Sequence, residues 1–463
     1  NMINQNGFSK KLDILVVGGG LVGSLEALYL AKRGHRVRLY EYREDIRKTP
    51  LVRGRSINLA LSIRGRRALK DVGLEQHMIE NHGIPMMGRM IHRLDGTTYE
   101  IPYDTRTNQV TIISTQKIIK ITQKSENYNN LEINFNCKLI EADLKKGLIT
   151  FIRTDSKEKV PVTADLVIGA DGAFSTVRKA MMKQPLFDYS QQYIEHGYLE
   201  LCIPANKNGG FQMPPNYLHI WPRGTFMMIA LPNQDCSWTV TLFMPFTNFK
   251  KLDSEEKLLK FFESFFPDSI SLIGEKKLIE DFFGGSPSPL VSVKCRPYNI
   301  DDKALIIGDA AHAVVPFYGQ GMNAGFEDCT ILDQLFQKYD DDLLPILTEF
   351  SNTRWQDTYA ISDLAMYNYM EMRDLVTRPS YRIRKAFDDL VFWAFPNFWV
   401  PLYNSVTFST MPYSQCVENR RWQNKNIAHY TYNSLKNNNV YKVTSLYRLI
   451  KTWYYFIYAN LFI

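Results

Sequence analysis

The first strongly patterned segment is Asp13-Ile14-Leu15-Val16-Val17, an apolar run that ends in three glycines. Such a run, without alternation, predicts a strand buried on both faces, as in a parallel sheet. Residues 24–32 follow with helical spacing and stop at Gly34, which predicts a helix with a glycine C-terminus. Residues 37–41 read as a second strand, and 164–169 and 304–308 repeat the buried-strand pattern far downstream. From about 186 to 294 the texture changes. Residues 198–203, 217–221, 226–231 and 238–245 alternate apolar with polar and are bounded by Pro, Gly and Asn. That pattern predicts an antiparallel sheet with one covered face. Residues 253–266 predict a helix capped by Asp253 or Ser254. Beyond about 325 the chain reads as helices, with clear 3.6-residue spacing over 326–336. There is no internal repeat and no low-complexity tract.

The buried strands are far apart in sequence, so they predict a discontinuous unit. The expected class is α/β plus α+β. A Rossmann-like nucleotide domain takes 8–75, 108–185 and 295–345. An antiparallel-sheet substrate domain takes 76–107 and 186–294. A helical, membrane-associating region takes 346–463.

Composition narrows the function classes. The 463 residues are 45% apolar, enough for two or three structural units. The net charge of +7 is mild and no long basic run occurs, which argues against nucleic acid as a partner. An anionic membrane surface or cofactor phosphates suit the excess better. The six cysteines are scattered without a Cys-x-x-Cys pair. That usage suits a reducing, intracellular environment and supplies no metal framework. The eight histidines form no zinc-hydrolase pair. No secretory leader pattern precedes the first strand. Residues 390–403 and 452–463 are aromatic-rich and apolar, yet shorter than the roughly 20 residues of a spanning helix. With Arg420, Arg421, Lys425, Lys442, Arg448 and Lys451 between and before them, they read as interfacial anchors.

Three motifs carry chemistry. Gly18-Gly19-Gly20-Leu21-Val22-Gly23 holds the G-x-G-x-x-G spacing between a strand and a helix. Gly18 makes the tight turn, Gly20 admits a pyrophosphate to the backbone, and Gly23 lets helix approach strand. The helix N-terminus supplies amides and positive dipole to the phosphates. Glu41 ends the second strand, where its carboxylate suits a ribose 2′-OH and repels a 2′-phosphate. The second motif is Gly169-Ala170-Asp171-Gly172-Ala173-Phe174-Ser175-Thr176-Val177-Arg178. The third is Gly308-Asp309-Ala310-Ala311-His312, which continues through Pro316-Phe317-Tyr318-Gly319-Gln320-Gly321-Met322-Asn323 into a helix. A strand, an acidic turn and a small-residue loop opening a helix are the parts that hold a flavin's ribityl chain and pyrimidine ring. His312 reads as a local packing or hydrogen-bonding residue rather than a general base.

In this order and spacing the three motifs resemble the single-component (class A) flavoprotein aromatic hydroxylases. The strings Arg53-Gly54-Arg55-Ser56-Ile57-Asn58-Leu59-Ala60, Arg89-Met90-Ile91-His92, Ile101-Pro102-Tyr103, 316–329 and Pro401-Leu402-Tyr403 are similar, within that class, to the kynurenine 3-monooxygenase family. The resemblance implies FAD as cofactor and NADPH as co-substrate. It places Asp309 at the ribityl chain, Asp171 at FAD and NADPH, and the amides of Gly321, Met322 and Asn323 at the pyrimidine edge. A helix N-terminus there would stabilise the anionic reduced flavin. Leu21, Val22, Tyr40, Arg43, Ala60, Leu139 and Thr176 complete the expected cofactor neighbours. In one departure, Lys117 stands after the Ile-x-Ser run where the family usually has arginine, so charge is kept but the bidentate fork is lost.

The resemblance also implies the reaction: O₂- and NADPH-consuming 3-hydroxylation of L-kynurenine through a flavin hydroperoxide, in tryptophan catabolism, at the cytosolic face of the mitochondrial outer membrane. Arg89 and Tyr103 from the sheet, with Asn368 and Tyr403 from the helical region, would hold the amino-acid carboxylate. The ring would lie near Pro316, Phe317 and Gln320. Glu371, three residues past Asn368 and on the same helix face, would meet the ammonium. No side chain is expected to act as nucleophile or base, because the chemistry is the cofactor's. A class A hydroxylase of another aromatic or lipid substrate, and a non-catalytic FAD-fold protein, are the competing readings. The sequence leaves oligomeric state open.

Overall fold

The structure is a computed structural model that describes residues 11–48, 58–103, 110–123 and 128–436. The 53–57 part of the Arg-Gly-Arg string, the side chain of Lys117 and the apolar end 452–463 lie outside the described residues.

The apolar runs build a six-stranded sheet in the order Asn299–Ile300, Ala304–Ile306, Leu166–Gly169, Asp13–Val17, Arg36–Tyr40 and Leu131–Asn134. It is parallel except at the Asn299–Ile300 edge. The central strands are buried on both faces, as unbroken Val/Ile/Leu runs demand. Helix Leu21–Lys32 leaves the first strand through the glycines, three residues earlier than its apolar spacing suggests. Gly34, with φ +97, turns the chain back after it. Two three-stranded sheets flank this unit. One comprises Lys159–Thr163, Leu148–Arg153 and Cys137–Asp143, the other Asn58–Leu61, Thr111–Ser114 and Ile84–Pro85.

The alternating segments form a seven-stranded sheet in the order Ser288–Arg296, Asp188–Ile203, Trp238–Pro245, Met227–Pro232, Tyr217–Pro222, Gly88–His92 and Thr98–Pro102. Gly88–His92 joins Tyr217–Pro222 in parallel and ties two distant stretches of chain together. Two expectations are corrected here. Helix Glu75–His82 and strand Ile84–Pro85 associate with strand Thr111–Ser114 on the nucleotide side, so the sheet unit takes over at 88 rather than 76. Both faces of the sheet are covered, not one. Leu199, Leu201, Met228, Trp238 and Val240 bury against helices Glu255–Phe265, Pro267–Ile273 and Glu275–Gly284. Ile91, Ile220, Met227 and Phe243 face Phe317 and helix Leu343–Arg373. The three covering helices are short and amphipathic. Ser254 caps the first, its Oγ accepting from Lys257 N–H.

The C-terminal helices Leu343–Arg373, Pro379–Ala394, Leu402–Thr407 and Tyr413–Lys436 close the second face. A buried ion network fastens them to the nucleotide unit. Arg64 pairs with Glu327 and lies 3.9 Å from the ring centroid of Tyr413. Arg354 pairs with Glu327 at 2.9 Å and with Asp328 at 2.8 Å. Among the described residues no helix is long and apolar enough to cross a membrane.

Candidate active site

A cavity of about 560 Å³ lies between the nucleotide unit, the inner face of the seven-stranded sheet and helix Leu343–Arg373. Gly20, Leu21, Val22, Asp309, Gly321 and Met322 line one end, and Ala60 lines the cavity where it packs against the Tyr103 cluster. Arg89, Tyr103, Asn368 and Tyr403 line the other, and Pro316, Phe317 and Gln320 lie along the wall between them. The segment from Asp309 to Met322 therefore runs the length of the cavity.

The three motif glycines have separate physical tasks. Gly18 has φ +103, and a Cβ there would meet Ala170 O at 2.5 Å. A Cβ on Gly23 would lie 1.9 Å from Gly18 O, so only glycine lets the helix close on the turn. A Cβ on Gly20 would meet nothing within 4 Å, because that residue faces the open cavity. Glu41 braces the loop: its Oε2 accepts Gly19 N–H at 2.7 Å, and its Oε1 accepts the backbone and Nε of Arg43 at 2.8 Å. A carboxylate has lone pairs beyond these, so a ribose hydroxyl can still be accepted. Gln123, which motif reading missed, donates to Gly19 O at 2.9 Å and to Ser24 Oγ at 3.1 Å from the other side.

Asp309 is exposed, its side chain opening into the cavity between the surrounding protein walls. That enclosure raises its carboxyl pKa, with Asp328 adding to the rise and His312 opposing it. The turn before it is held by Asp328, whose Oδ2 accepts Gly308 N–H at 2.8 Å and contacts His312 Nε2 at 2.7 Å. His312 thus has the local structural role its sequence context suggests. Asn323 is wholly committed to the loop: Oδ1 accepts Ser62 N–H, and Nδ2 donates to Ala60 O and Gly319 O, each at 2.8 Å. Its side chain shapes the start of helix Gly321–Lys338 and leaves that helix's first-turn amides at the cavity.

Several expected cofactor residues stand away from the cavity lining. Asp171 caps helix Thr176–Met181, accepting from Thr176 N–H at 2.6 Å, Val177 N–H at 3.2 Å and Ser175 Oγ–H. Gly172 and Ala173 beside it line the cavity instead. Arg178, whose guanidinium donates to Ala310 O and Ala173 O, ties this motif to the Gly308 turn. Tyr40 stacks on Phe151 at 4.2 Å between ring centroids, and Leu139 lies in the same core. Arg43 is exposed beside Glu41, and Thr176 begins its helix behind Asp171.

The opposite end is polar and aromatic. Arg89 is buried, and its Nη1 donates to Glu371 Oε1 at 3.1 Å. Its guanidinium carbon lies 4.3 Å from the ring centroid of Tyr403. Tyr403 stacks between Tyr103 at 5.4 Å and Tyr318 at 5.7 Å. Burial alone would lower the Arg89 pKa, but Tyr403, Glu371 and Tyr103 outweigh it and hold it well above the ordinary arginine value. Asn368 Nδ2 donates to Phe317 O at 2.7 Å, and Phe317 stacks on Tyr369 at 3.8 Å. Gln320 Oε1 accepts from Tyr413 at 3.0 Å. Tyr318 and Tyr381, the latter donating to Glu371 at 3.0 Å, were not singled out from sequence. Their approach depends on packing between elements that no local pattern encodes.

These residues fit FAD. The Gly20 cradle is open, Asp309 lines the same cavity, and helix Gly321–Lys338 begins there with no side-chain cap. The chain matches the FAD binding domain family over residues 11–338. It is 58% identical to the kynurenine 3-monooxygenase of Anopheles gambiae over 93% of this chain and 89% of that one. It is 49% identical to the kynurenine 3-monooxygenase of Sus scrofa, over 90% and 88%. In fold it is similar to 2-methyl-3-hydroxypyridine-5-carboxylic acid oxygenase, with a TM-score of 0.63 at 20% identity, over 80% of this chain and 95% of that chain. The chain therefore belongs to the kynurenine 3-monooxygenase family of FAD-dependent flavin monooxygenases.

Proposed function

We propose that this protein hydroxylates L-kynurenine at ring carbon 3, with FAD as cofactor and NADPH and O₂ as co-substrates. One observation carries the substrate reading. Buried Arg89 lines the cavity beside Tyr103 and Tyr403, and its partner Glu371 stands 3.1 Å from it, outside the cavity lining. A buried guanidinium that opens on the cavity between two phenols suits the carboxylate of an α-amino acid.

Arg89 would take the carboxylate as a fixed fork, with the Tyr103 and Tyr403 hydroxyls as neutral partners. Glu371, expected at the ammonium, lines only the space behind Arg89 and would instead hold the Arg89 fork in place. Asn368, whose Nδ2 is committed to Phe317 O, would offer its Oδ1 to a substrate N–H. Pro316 and Phe317 would flank the ring, and Gln320 would donate its amide N–H toward the ketone. FAD, when bound, takes hydride from NADPH and activates O₂. Asp309 would hold its ribityl chain, the first-turn amides of Gly321, Met322 and Asn323 its pyrimidine edge, and Glu41 the adenosine ribose. The chain's own residues orient the ring and keep water from it. They supply no nucleophile.

The exposed face of the C-terminal unit supports attachment to a membrane surface. Leu390, Trp393, Phe395 and Phe398 are each more than 60% exposed within nine residues. An apolar patch so dense, rich in aromatic rings, suits the headgroup region of a bilayer. The mitochondrial outer membrane, on its cytosolic side, is the membrane that the family resemblance implies.

The substrate assignment is tested by incubating purified enzyme with L-kynurenine, NADPH and O₂; failure to form 3-hydroxykynurenine removes it. The attachment is tested by sedimentation with anionic phospholipid vesicles, from which Leu390→Glu/Trp393→Glu should be released.

A further inference from the structure

Arg89 borders a second chamber. A cavity of about 500 Å³ lies behind it, against the C-terminal helices Pro379–Ala394 and Tyr413–Lys436. Arg89, Tyr103 and Tyr403 line both spaces. These three residues stand between the two spaces. Asn368, Phe317 and Gln320 line the inner side, and Glu371 and Tyr381 the outer. Pro102, Asp389 and Trp393, all exposed, mark where the outer chamber meets the surface.

We propose that the outer chamber is an antechamber through which the aromatic amino acid reaches the reaction cavity and its product leaves, past the Arg89–Tyr103–Tyr403 partition. This inference rests on the substrate reading above.

The first support is orientation. The groups that suit an amino-acid head stand at the partition, and the apolar wall lies inside it. A molecule that passes the partition ring first arrives in the bound pose without turning. One that came from the Gly20–Asp309 end would have to bring its charged head first past Phe317. The second support is chemistry. The outer chamber carries both signs of charge, with Asp388 accepting from Arg384 at 2.9 Å and from Arg420 at 3.0 Å, beside the rings of Phe392 and Trp393. A zwitterion with an aromatic ring therefore meets polar and apolar partners along the way, and neither charge is stripped bare. The third support is the partition's own bonding. Arg89 Nε is buried with no hydrogen-bond partner, so the guanidinium is not locked on all sides and keeps a donor for an arriving carboxylate.

A passage changes rates, whereas a contact in the bound complex changes the equilibrium. The test uses two variants that fill the antechamber outside the binding groups: Asp389→Trp at its mouth and Asn404→Phe within it. Flavin-loaded enzyme is mixed rapidly with L-kynurenine, and the flavin absorbance reports binding. Flavin content and melting temperature check that each variant is folded, and either variant suffices. The expected result is that association and dissociation rate constants both fall by about tenfold or more while Kd stays within about twofold. An unchanged association rate in the folded variants overturns the proposal. So does a weakened Kd with association unaltered, which would make the chamber part of the binding site itself. If wild-type enzyme gives no response to L-kynurenine, the substrate reading fails and the passage for that amino acid fails with it. Normal wild-type binding with unslowed variants removes the passage alone.

Discussion

Arg89 and Glu371 meet at 3.1 Å across the joint between the seven-stranded sheet and the long helix Leu343–Arg373. A hydrogen bond between a guanidinium and a substrate carboxylate is worth about 1.5–3 kcal/mol, and the fork supplies two. Arg89→Ala should therefore weaken L-kynurenine binding by about 100-fold or more. Arg89→Lys, which keeps charge without the fork, should fall between. FAD content should be unchanged in both. Titration of the bound flavin's absorbance with substrate measures this, and wild-type affinity in Arg89→Ala would remove the residue from the site.

The glycine cradle makes a different prediction. Gly23→Ala places a methyl where Gly18 O stands, so the turn must open and the variant should purify without flavin. Asp309→Ala should fold normally but bind FAD about 10- to 100-fold more weakly, the value of a hydrogen bond to a charged group. Flavin released per mole of protein separates the two outcomes.

Glu26 lies beneath the nucleotide loop, nearly inaccessible, with its Oε2 unpartnered. Burial raises its pKa to about 8, opposed by a hydrogen bond with Cys329. A raised carboxyl pKa favours the folded state below the unfolded value of 4.5, and that advantage is lost as pH rises to about 8. The loss is at most about 5 kcal/mol. Glu26→Gln should melt higher than wild type at pH 8 and lose less stability between pH 5 and 8. Equal melting curves at both pH values would show that the carboxyl is not buried as described.

His219 works in the other direction. Its Nε2 contacts Pro214 O at 2.9 Å and its Nδ1 contacts His92 Nε2 at 2.8 Å. Burial lowers its pKa to about 4. A neutral buried histidine contributes stability fully above its ordinary value of 6.5, and that contribution fades as pH falls toward 4, by at most about 3 kcal/mol. Asp268 acts in the same sense at lower pH. Burial would raise its pKa, but hydrogen bonds from His92 and Trp221 hold it below the ordinary carboxyl value. Melting temperature should drop between pH 6.5 and 4.5, and His219→Gln should flatten that drop. An unaltered slope would assign the acid loss to other groups.

Legibility in the sequence followed burial. Strand Trp238–Pro245 has the bounds its alternation predicts, because every second side chain enters a core. Strand Asp188–Ile203 begins ten residues before its expected start, because its first half is polar and largely exposed. Helices Pro267–Ile273 and Glu275–Gly284, split at Gly274, are too short for a clear period. Alternation hides the second covered face, because Met227, Ile229 and Phe243 occupy positions that it assigns to solvent. Arg89, Tyr103, Asn368 and Tyr403 were nameable only through family resemblance. No spacing relates residues 89 and 403, and the sheet–helix joint alone brings them together. Asp171 shows the converse, since a motif that reads as ligand contact has its carboxylate committed to a helix cap.

The segment from Asp309 to Met322 lines the cavity from the glycine cradle to the Phe317 wall, whereas Arg89, Tyr103, Glu371 and Tyr403 belong to other elements. This division sets how the enzyme could be retargeted. A variant library confined to Arg89, Tyr103, Glu371 and Tyr403 would exchange one polar handle for another while the coloured, oxygen-activating half of the catalyst stays intact. Diversity placed between 309 and 322 would instead bleach the protein before it changed its taste.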